Sequence, residues 1–385
     1  MPTTVVDTDT NKGVYHIYNV GVRITQKFPI LQFFNDHAAV PEVIRDDHAT
    51  NVWVKSEGRR VTDWPDMQSE VKRVWEDLEE PVYFFYPLPN PAHCLHDCMF
   101  SIALEAFGDG PGEHNGDKDA TKPLPHFQKF LYASLTNTGS AATRWDVFLH
   151  EKAGILQPVG ELFRGIDKAA ATLCFKHLVV PRFMRHRFAH DWRSVCDVSR
   201  FSYIETAPTF YPQYNLRRLQ ERLFATCFNE PVVAWPDQTP SRRVYAKLLL
   251  HDRGEAKRRK WSNGAEAFAW IQRHYDAHFA SMVYLSNDYV TLSPMQQARL
   301  FHSADVVIAP HGGALANLIF CRPGTRIIEL TDEPGPLGWF SFTRRLKMFH
   351  FPYQPSGLET HYPTTFGINM ACFNAVLQHT LFADP

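Results

Sequence analysis

Apolar positions along this chain switch between two rhythms, and the switches predict where strand gives way to helix. Residues 303–330, SADVVIAPHGGALANLIFCRPGTRIIEL, carry the sharpest example. An apolar run over 306–309 ends at Pro310 and has the length of a buried strand. His311, Gly312 and Gly313 follow, then a mostly apolar segment read as a helix, a Pro323-Gly324 turn and a second apolar run. The alternation begins upstream, with a strand over 244–250, a helix over 265–275, a strand over 282–285 and a helix over 294–301. Strands alternating with helices predict a parallel sheet covered on both faces.

The first half is less regular. Residues 13–24 read as strand, and 67–78 as a helix with Met67, Val71, Val74, Trp75 and Leu78 on one face. The run VYFFY, 82–86, reads as a buried strand, followed by the turn PLPNP. Residues 93–107 place Leu95, Met99, Ile102, Ala103 and Phe107 at helical spacing. Residues 108–125 hold four glycines and three prolines and read as a loop. The segments RWDVFLH, 144–150, and CFKHLVVP, 174–181, read as strand candidates, and 205–217 as irregular connection. The expected organisation is an N-terminal extension over 1–80 packed on a first α/β domain over 81–215, a second α/β domain over 240–368, and a C-terminal helix over 369–385 able to cross back.

The length of 385 residues agrees with two domains at roughly 150 residues each. A formal net charge of −1 excludes a global field that would recruit nucleic acid. No run of about 18 apolar residues marks a membrane span, and the N-terminus lacks a signal-peptide layout. Seven cysteines, none in a C-x-x-C pair, leave the redox compartment open, and no N-x-S/T sequon hints at secretion.

Three segments carry candidate chemistry. At the carboxyl end of the strand over 306–309, Gly312 and Gly313 let the backbone approach a ligand, and the following helix start offers N–H groups to an anion. The bland reading is a tight strand-to-helix turn. The loop lacks the G-x-G-x-x-G dinucleotide fingerprint and the G-K-S/T of a Walker loop, and no G-x-S-x-G elbow accompanies it. HDRGEAKRRKWSNGAE, 251–266, repeats the layout with Arg253, Lys257, Arg258, Arg259 and Lys260, then Asn263. Arginine's planar fork matches phosphate oxygens, although a basic run is also an ordinary solvated surface. Finally, NPAHCLHDCMF, 90–100, places His93 and Asp97 four residues apart on one helical face beside His96. It fits a general-base pair, a metal site of no standard zinc spacing, or a polar helix start. Asp7-Thr8-Asp9 and Asp117-Lys118-Asp119 match a metal-binding D-x-D, but one falls at an expected frayed terminus and the other in the loop; both read as chance.

Taken in order, NPAHCLHDCM, LCFKHLVV, HDRGEAKRRKWSN and SADVVIAPHGGALANLIFCRPGTRIIEL resemble the motifs of glycosyltransferase family 61 over roughly residues 85–355. The resemblance implies a GT-B architecture, two Rossmann-like domains facing across a cleft, and inverting transfer from a UDP-sugar with no required cofactor or metal. It implies Arg253 with Arg258 or Arg259 on the donor diphosphate, Gly312 and Gly313 beside it, and His311, Asn317 and Asn263 shaping the pocket. Glu329 would take ribose hydroxyls. Asp97, with His93 or His96, would be the base that activates a hydroxyl of a glycan or glycoprotein acceptor. GlcNAc and xylose are the expected sugars. The alternative is a relative that binds nucleotide or glycan without transfer. A chain complete as written would be cytoplasmic; one lacking an N-terminal anchor would belong to the Golgi or ER lumen.

Overall fold

The computed structural model describes residues 3–9, 14–24, 29–37, 39–42, 55–61, 82–85, 130–132, 145, 148, 152, 172–181, 213–234, 244–254, 256–331, 343, 346–355 and 365–382. The helices expected over 67–78 and 93–107, the loop over 108–125 and the second D-x-D lie outside these residues. The chain divides into two compact units, Met1–Arg185 and His186–Pro385.

The first unit holds a seven-stranded sheet of β1 (Val5–Asp9), β2 (Val14–Ile24), β3 (Pro29–Asn35), β4 (Lys55–Arg60), β5 (Val82–Phe85), β6 (Phe130–Tyr132) and β7 (Thr172–Pro181). The order is β4-β3-β2-β7-β5-β6, with β1 also paired to β2. β2 runs antiparallel to β1, β3 and β7, whereas β5 runs parallel to β6 and β7. β1 to β4, which fall within residues 1–80, belong to the same sheet as β5 to β7. The stretch Asp7-Thr8-Asp9 is not a frayed end, since β1 is registered on β2 with Asp7 opposite His16. Tyr15 and Ile17, then Val20 and Val22, are fully buried. The buried set moves from odd to even positions across Asn19, whose φ is 56°, a conformation asparagine tolerates better than most residues.

One strand candidate is corrected. Trp145 and Phe148 are helical. Their spacing of three is a helical period, and their rings meet edge to face at 5.5 Å.

The second unit contains α1 (Gln213–Phe228), β8 (Tyr245–His251), β9 (Lys260–Trp261), α2 (Gly264–Tyr275), β10 (Phe279–Leu285), α3 (Pro294–His302), β11 (Val306–Pro310), β12 (Arg326–Leu330), β13 (Phe349–Tyr353), β14 (Thr365–Phe366) and α4 (Met370–Phe382). α1 begins inside the stretch read as irregular. Its apolar stripe, Leu216, Leu219, Leu223 and Phe224, is buried. Gln220 on that stripe donates to the carbonyls of Ile319 and Cys321 at 3.1 and 2.8 Å.

The five-stranded sheet β10-β8-β11-β12-β13 is parallel throughout. β11 and β12 are buried at every position, which is why β11 reads as a continuous apolar run rather than an alternating one. On one face Leu248, Leu250, Val306, Ile308, Ile328 and Leu330 pack with Ala267 and Ile271 of α2 and Phe373, Val376 and Leu377 of α4. α4 is pinned to this sheet: Arg326 donates to the Thr380 carbonyl, and the Tyr245 hydroxyl to that of Leu381. α3 starts on a capping box, in which Ser293 Oγ accepts from Gln296 N and Gln296 Oε1 from Ser293 N, with Pro294 at the first helical position. The segment after the glycine loop, expected as a helix, is a tighter 3₁₀ helix over Gly313–Phe320.

Candidate functional site

Strand order locates the site. β8 is the first strand of its sheet, β10 lies on one side of it and β11 on the other. The chain thus reverses its direction of winding between β8 and β11. In open parallel sheets the crevice that receives a ligand opens at this switch, outside the carboxyl ends of the strands. The residues leaving β8 and β11 there are 252–254 and 311–313.

Arg253 bridges the two ends. Its Nη1 donates to the His311 carbonyl oxygen at 2.6 Å. The guanidinium crosses Gly312 so closely that a Cβ on that glycine would stand 2.2 Å from Nη1 and 2.9 Å from Cζ. Only glycine leaves that path open. Arg253 itself has φ 66° and Gly254 φ 48°. A non-glycine residue in such a conformation costs about 1–3 kcal/mol and persists only where its surroundings hold it. Asp252, 7% exposed, provides that hold: its Oδ1 accepts from Gly254 N at 2.7 Å and its Oδ2 from the Tyr284 hydroxyl. Burial, then the bond to Asp252 and its negative charge, push the Tyr284 hydroxyl up to about 12, so it stays a donor.

A second arrangement lies beneath the glycine loop. His311 N donates to the Leu330 carbonyl at 2.7 Å, so the β11–β12 ladder continues past Pro310. Ala309 is paired with Glu329, and a period of two keeps His311 on the same face. His311 Nδ1 stands 2.5 Å from Glu329 Oε1. Glu329 is fully buried, and its Oε2 lies 2.8 Å from His350 Nε2 of β13 in an ion-pair contact without the alignment of a hydrogen bond. Thr343 Oγ1 sits 2.9 Å from His350 Nδ1. Burial alone would raise the Glu329 carboxyl; the contacts with His311 and His350 outweigh it and bring it down to about 2. With Nδ1 turned to Glu329, the ring of His311 directs Nε2 away from the carboxylate, and its side chain keeps 18% exposure.

The remaining candidates separate by position. Gly312 and Gly313 are partly accessible, and the 3₁₀ helix starts at Gly313. Arg258 is exposed, whereas Arg259 is buried at 8% with φ 56°. Asn263 is engaged on both ends of its amide: Oδ1 accepts from Trp261 Nε1 at 2.9 Å and Ile368 N at 3.0 Å, and Nδ2 donates to Ile368 O at 3.1 Å. Asn317 is buried, and its Nδ2 donates to the Tyr289 hydroxyl at 2.7 Å and the Ala314 carbonyl at 3.1 Å. Glu329, read from sequence as a ribose contact, lies under His311 instead of facing the crevice. His93, His96 and Asp97 lie outside the described residues.

Sequence reasoning missed four participants. Asp252 stood within the quoted motif but was passed over beside its arginines. Tyr284 and His350 reach the site only through the pairing of β10 with β8 and β13 with β12. Tyr289 packs on His251 with ring centroids 4.5 Å apart, and burial holds His251 down at about 4, so this motif histidine is a neutral core residue.

No curated protein matches the chain. The sequence model described as Glycosyltransferase 61 matches residues 92–328, more than half of the 385, and includes Arg253, His311 and Gly312. The chain therefore belongs to glycosyltransferase family 61, whose chemistry is the transfer of a sugar from a donor to a glycan acceptor.

Proposed function

We propose that the second unit binds a UDP-sugar at the switch between β8 and β11, and that the chain is an inverting GT-B glycosyltransferase independent of metal. The sugar is GlcNAc or xylose, and the acceptor a hydroxyl of a glycan or glycoprotein. The observation that carries this reading is Arg253, leaving β8 and crossing Gly312 to the His311 carbonyl at the end of β11. A cation fixed across bare backbone at a topological switch is suited to a diphosphate.

In this reading Arg253, with Arg258 or Arg259, meets the diphosphate, and the backbone at Gly312 and Gly313 lies beside it. His311 presents Nε2 to the leaving group, its ring oriented by Glu329. Asn263 and Asn317 brace the loops from within. Asp97, helped by His93 or His96, takes the proton of the acceptor hydroxyl. The acceptor oxygen bonds to the anomeric carbon from the face opposite the diphosphate, and the bond to the β-phosphate oxygen breaks. UDP departs with that electron pair. Positive charge and N–H groups placed in advance stabilise the charge that develops on it. Inversion requires the base and the leaving group to act on opposite faces of one carbon.

Cys372 of α4 is disulfide-bonded. Disulfides persist in oxidising compartments and are rare in the cytosol, which supports the Golgi or ER lumen as the working location. Among the described residues no helix is long and apolar enough to cross a membrane.

The test is UDP release from a panel of UDP-sugars, with and without EDTA, beside Asp97→Ala and Arg253→Ala. Chelator-resistant release from one sugar is expected, reduced at least about 100-fold in Arg253→Ala and abolished in Asp97→Ala. UDP binding with no release on any acceptor points to a non-catalytic relative. Failure to bind UDP overturns the donor site.

A further inference from the structure

The turn that aims Arg253 is held from a neighbouring strand. Tyr284 on β10 is paired with Leu250 on β8, and Asp252 stands two residues beyond Leu250 on the same sheet face. The Tyr284 hydroxyl donates to one oxygen of Asp252, and the other oxygen accepts from Gly254 N. Arg253 is thus bracketed: the carboxylate comes from the residue before it, and the bonded N–H from the residue after it. Helix α2 closes the arrangement from the same side. A Cβ on Gly264 would stand 2.6 Å from Asp252 Cβ, and the Tyr284 ring stacks on Phe268 with centroids 5.3 Å apart. The backbone is tied as well, through Asp252 N to the Leu285 carbonyl and Trp261 N to the Asp252 carbonyl, both at 3.2 Å. Asp252, 7% exposed, has both oxygens occupied by protein donors. Its place in the motif therefore calls for a role other than substrate contact.

We propose that Tyr284 and Asp252 are positioning residues for the donor clamp: the Tyr284 hydroxyl, acting through the Asp252 carboxylate, keeps Arg253 in the left-handed turn that carries its guanidinium across Gly312. The inference rests on the reading of Arg253 as a diphosphate ligand. Without the hydroxyl, the Asp252 carboxylate keeps only its bond to Gly254 N, and Arg253 relaxes towards the right-handed region that L-residues prefer. Apparent affinity falls in proportion to the fraction of molecules holding the competent turn.

The experiment is calorimetric titration of the full chain with UDP, in a cycle of Tyr284→Phe, Arg253→Ala and the double variant. Tyr284→Phe keeps the ring on Phe268 and removes a single oxygen. It should weaken UDP by about tenfold and raise KM for the donor, leaving KM for the acceptor unchanged. Asp252→Asn, which keeps the side-chain shape but alters the acceptor facing Tyr284, should do the same. In the Arg253→Ala background, Tyr284→Phe should change UDP affinity by less than about twofold, because the two changes act through one group. A purely structural tyrosine would lower the melting temperature without this dependence on Arg253. If Arg253→Ala weakens UDP and Tyr284→Phe does not, or if the two losses simply add, this inference is overturned alone. If Arg253→Ala binds UDP like the wild type, the donor-site reading is overturned and this inference with it.

Discussion

Glu329→Gln is the most informative single change, because it removes a charge and almost no volume. Glu329 is fully buried, 2.5 Å from His311 Nδ1 and 2.8 Å from His350 Nε2. Burial opposes its ionisation, yet the two histidines bring its carboxyl from 4.5 down to about 2. At 1.36 kcal/mol for each pH unit, that difference is on the order of 3 kcal/mol while both histidines are protonated. The sign follows from a depressed carboxyl. The contribution is complete above pH 4.5 and is lost progressively as pH falls from there towards about 2. In a unit of this size each kcal/mol shifts melting by roughly 2–4 °C, so the variant should melt about 6–12 °C lower at about pH 5. Its deficit should shrink below pH 4.5. Thermal unfolding followed by tryptophan fluorescence reads this directly, since Trp261 is buried in the same unit. An equal melting temperature at about pH 5, or a deficit that stays constant from about pH 5 to about pH 3, would refute the reasoning. The variant should also lose turnover, because a neutral amide leaves the His311 ring without its anionic partner.

Gly312→Ala introduces a methyl group where Arg253 passes. The tip of arginine can move, so folding should survive, but UDP should bind roughly 10- to 150-fold more weakly, the range for loss of hydrogen bonds from a charged group, as titration calorimetry will measure. Asn263→Ala removes three hydrogen bonds that join the start of α2 to Trp261 and Ile368. It should cost about 2–4 kcal/mol in denaturant unfolding while UDP affinity changes by less than about threefold; a larger loss of affinity would make Asn263 a donor contact. Cys372→Ser, or reduction of the wild type, should lower stability by about 2–5 kcal/mol; equal melting with and without reductant would refute the structural role of that disulfide.

Much of the second unit was readable from local pattern. The strands expected over 244–250 and 306–309 are Tyr245–His251 and Val306–Pro310, and the helix over 294–301 is Pro294–His302. Central parallel strands are buried on both faces, so they appear as unbroken apolar runs that local composition reveals. In the first unit the signal is weaker. Trp145 and Phe148, three apart, fell within a stretch read as strand, and nothing local announces that β2 pairs with β7, some 160 residues away. At the site, Arg253, His311 and Gly312 were legible, since arginine, histidine and glycine at strand ends carry their chemistry on their face. What surrounds them was not.

The sequence by itself determined where the central strands of the second unit lie, and that arginines and bare backbone stand at strand ends. Tertiary structure decided the neighbours. Because β8 lies between β10 and β11, Arg253 meets Gly312 and Asp252 meets Tyr284; because β12 lies between β11 and β13, Glu329 is enclosed by His311 and His350. Periodicity reports how each segment meets water, which is a local property. Strand order is settled by how all the apolar faces are covered at once, and no single stretch of sequence contains that.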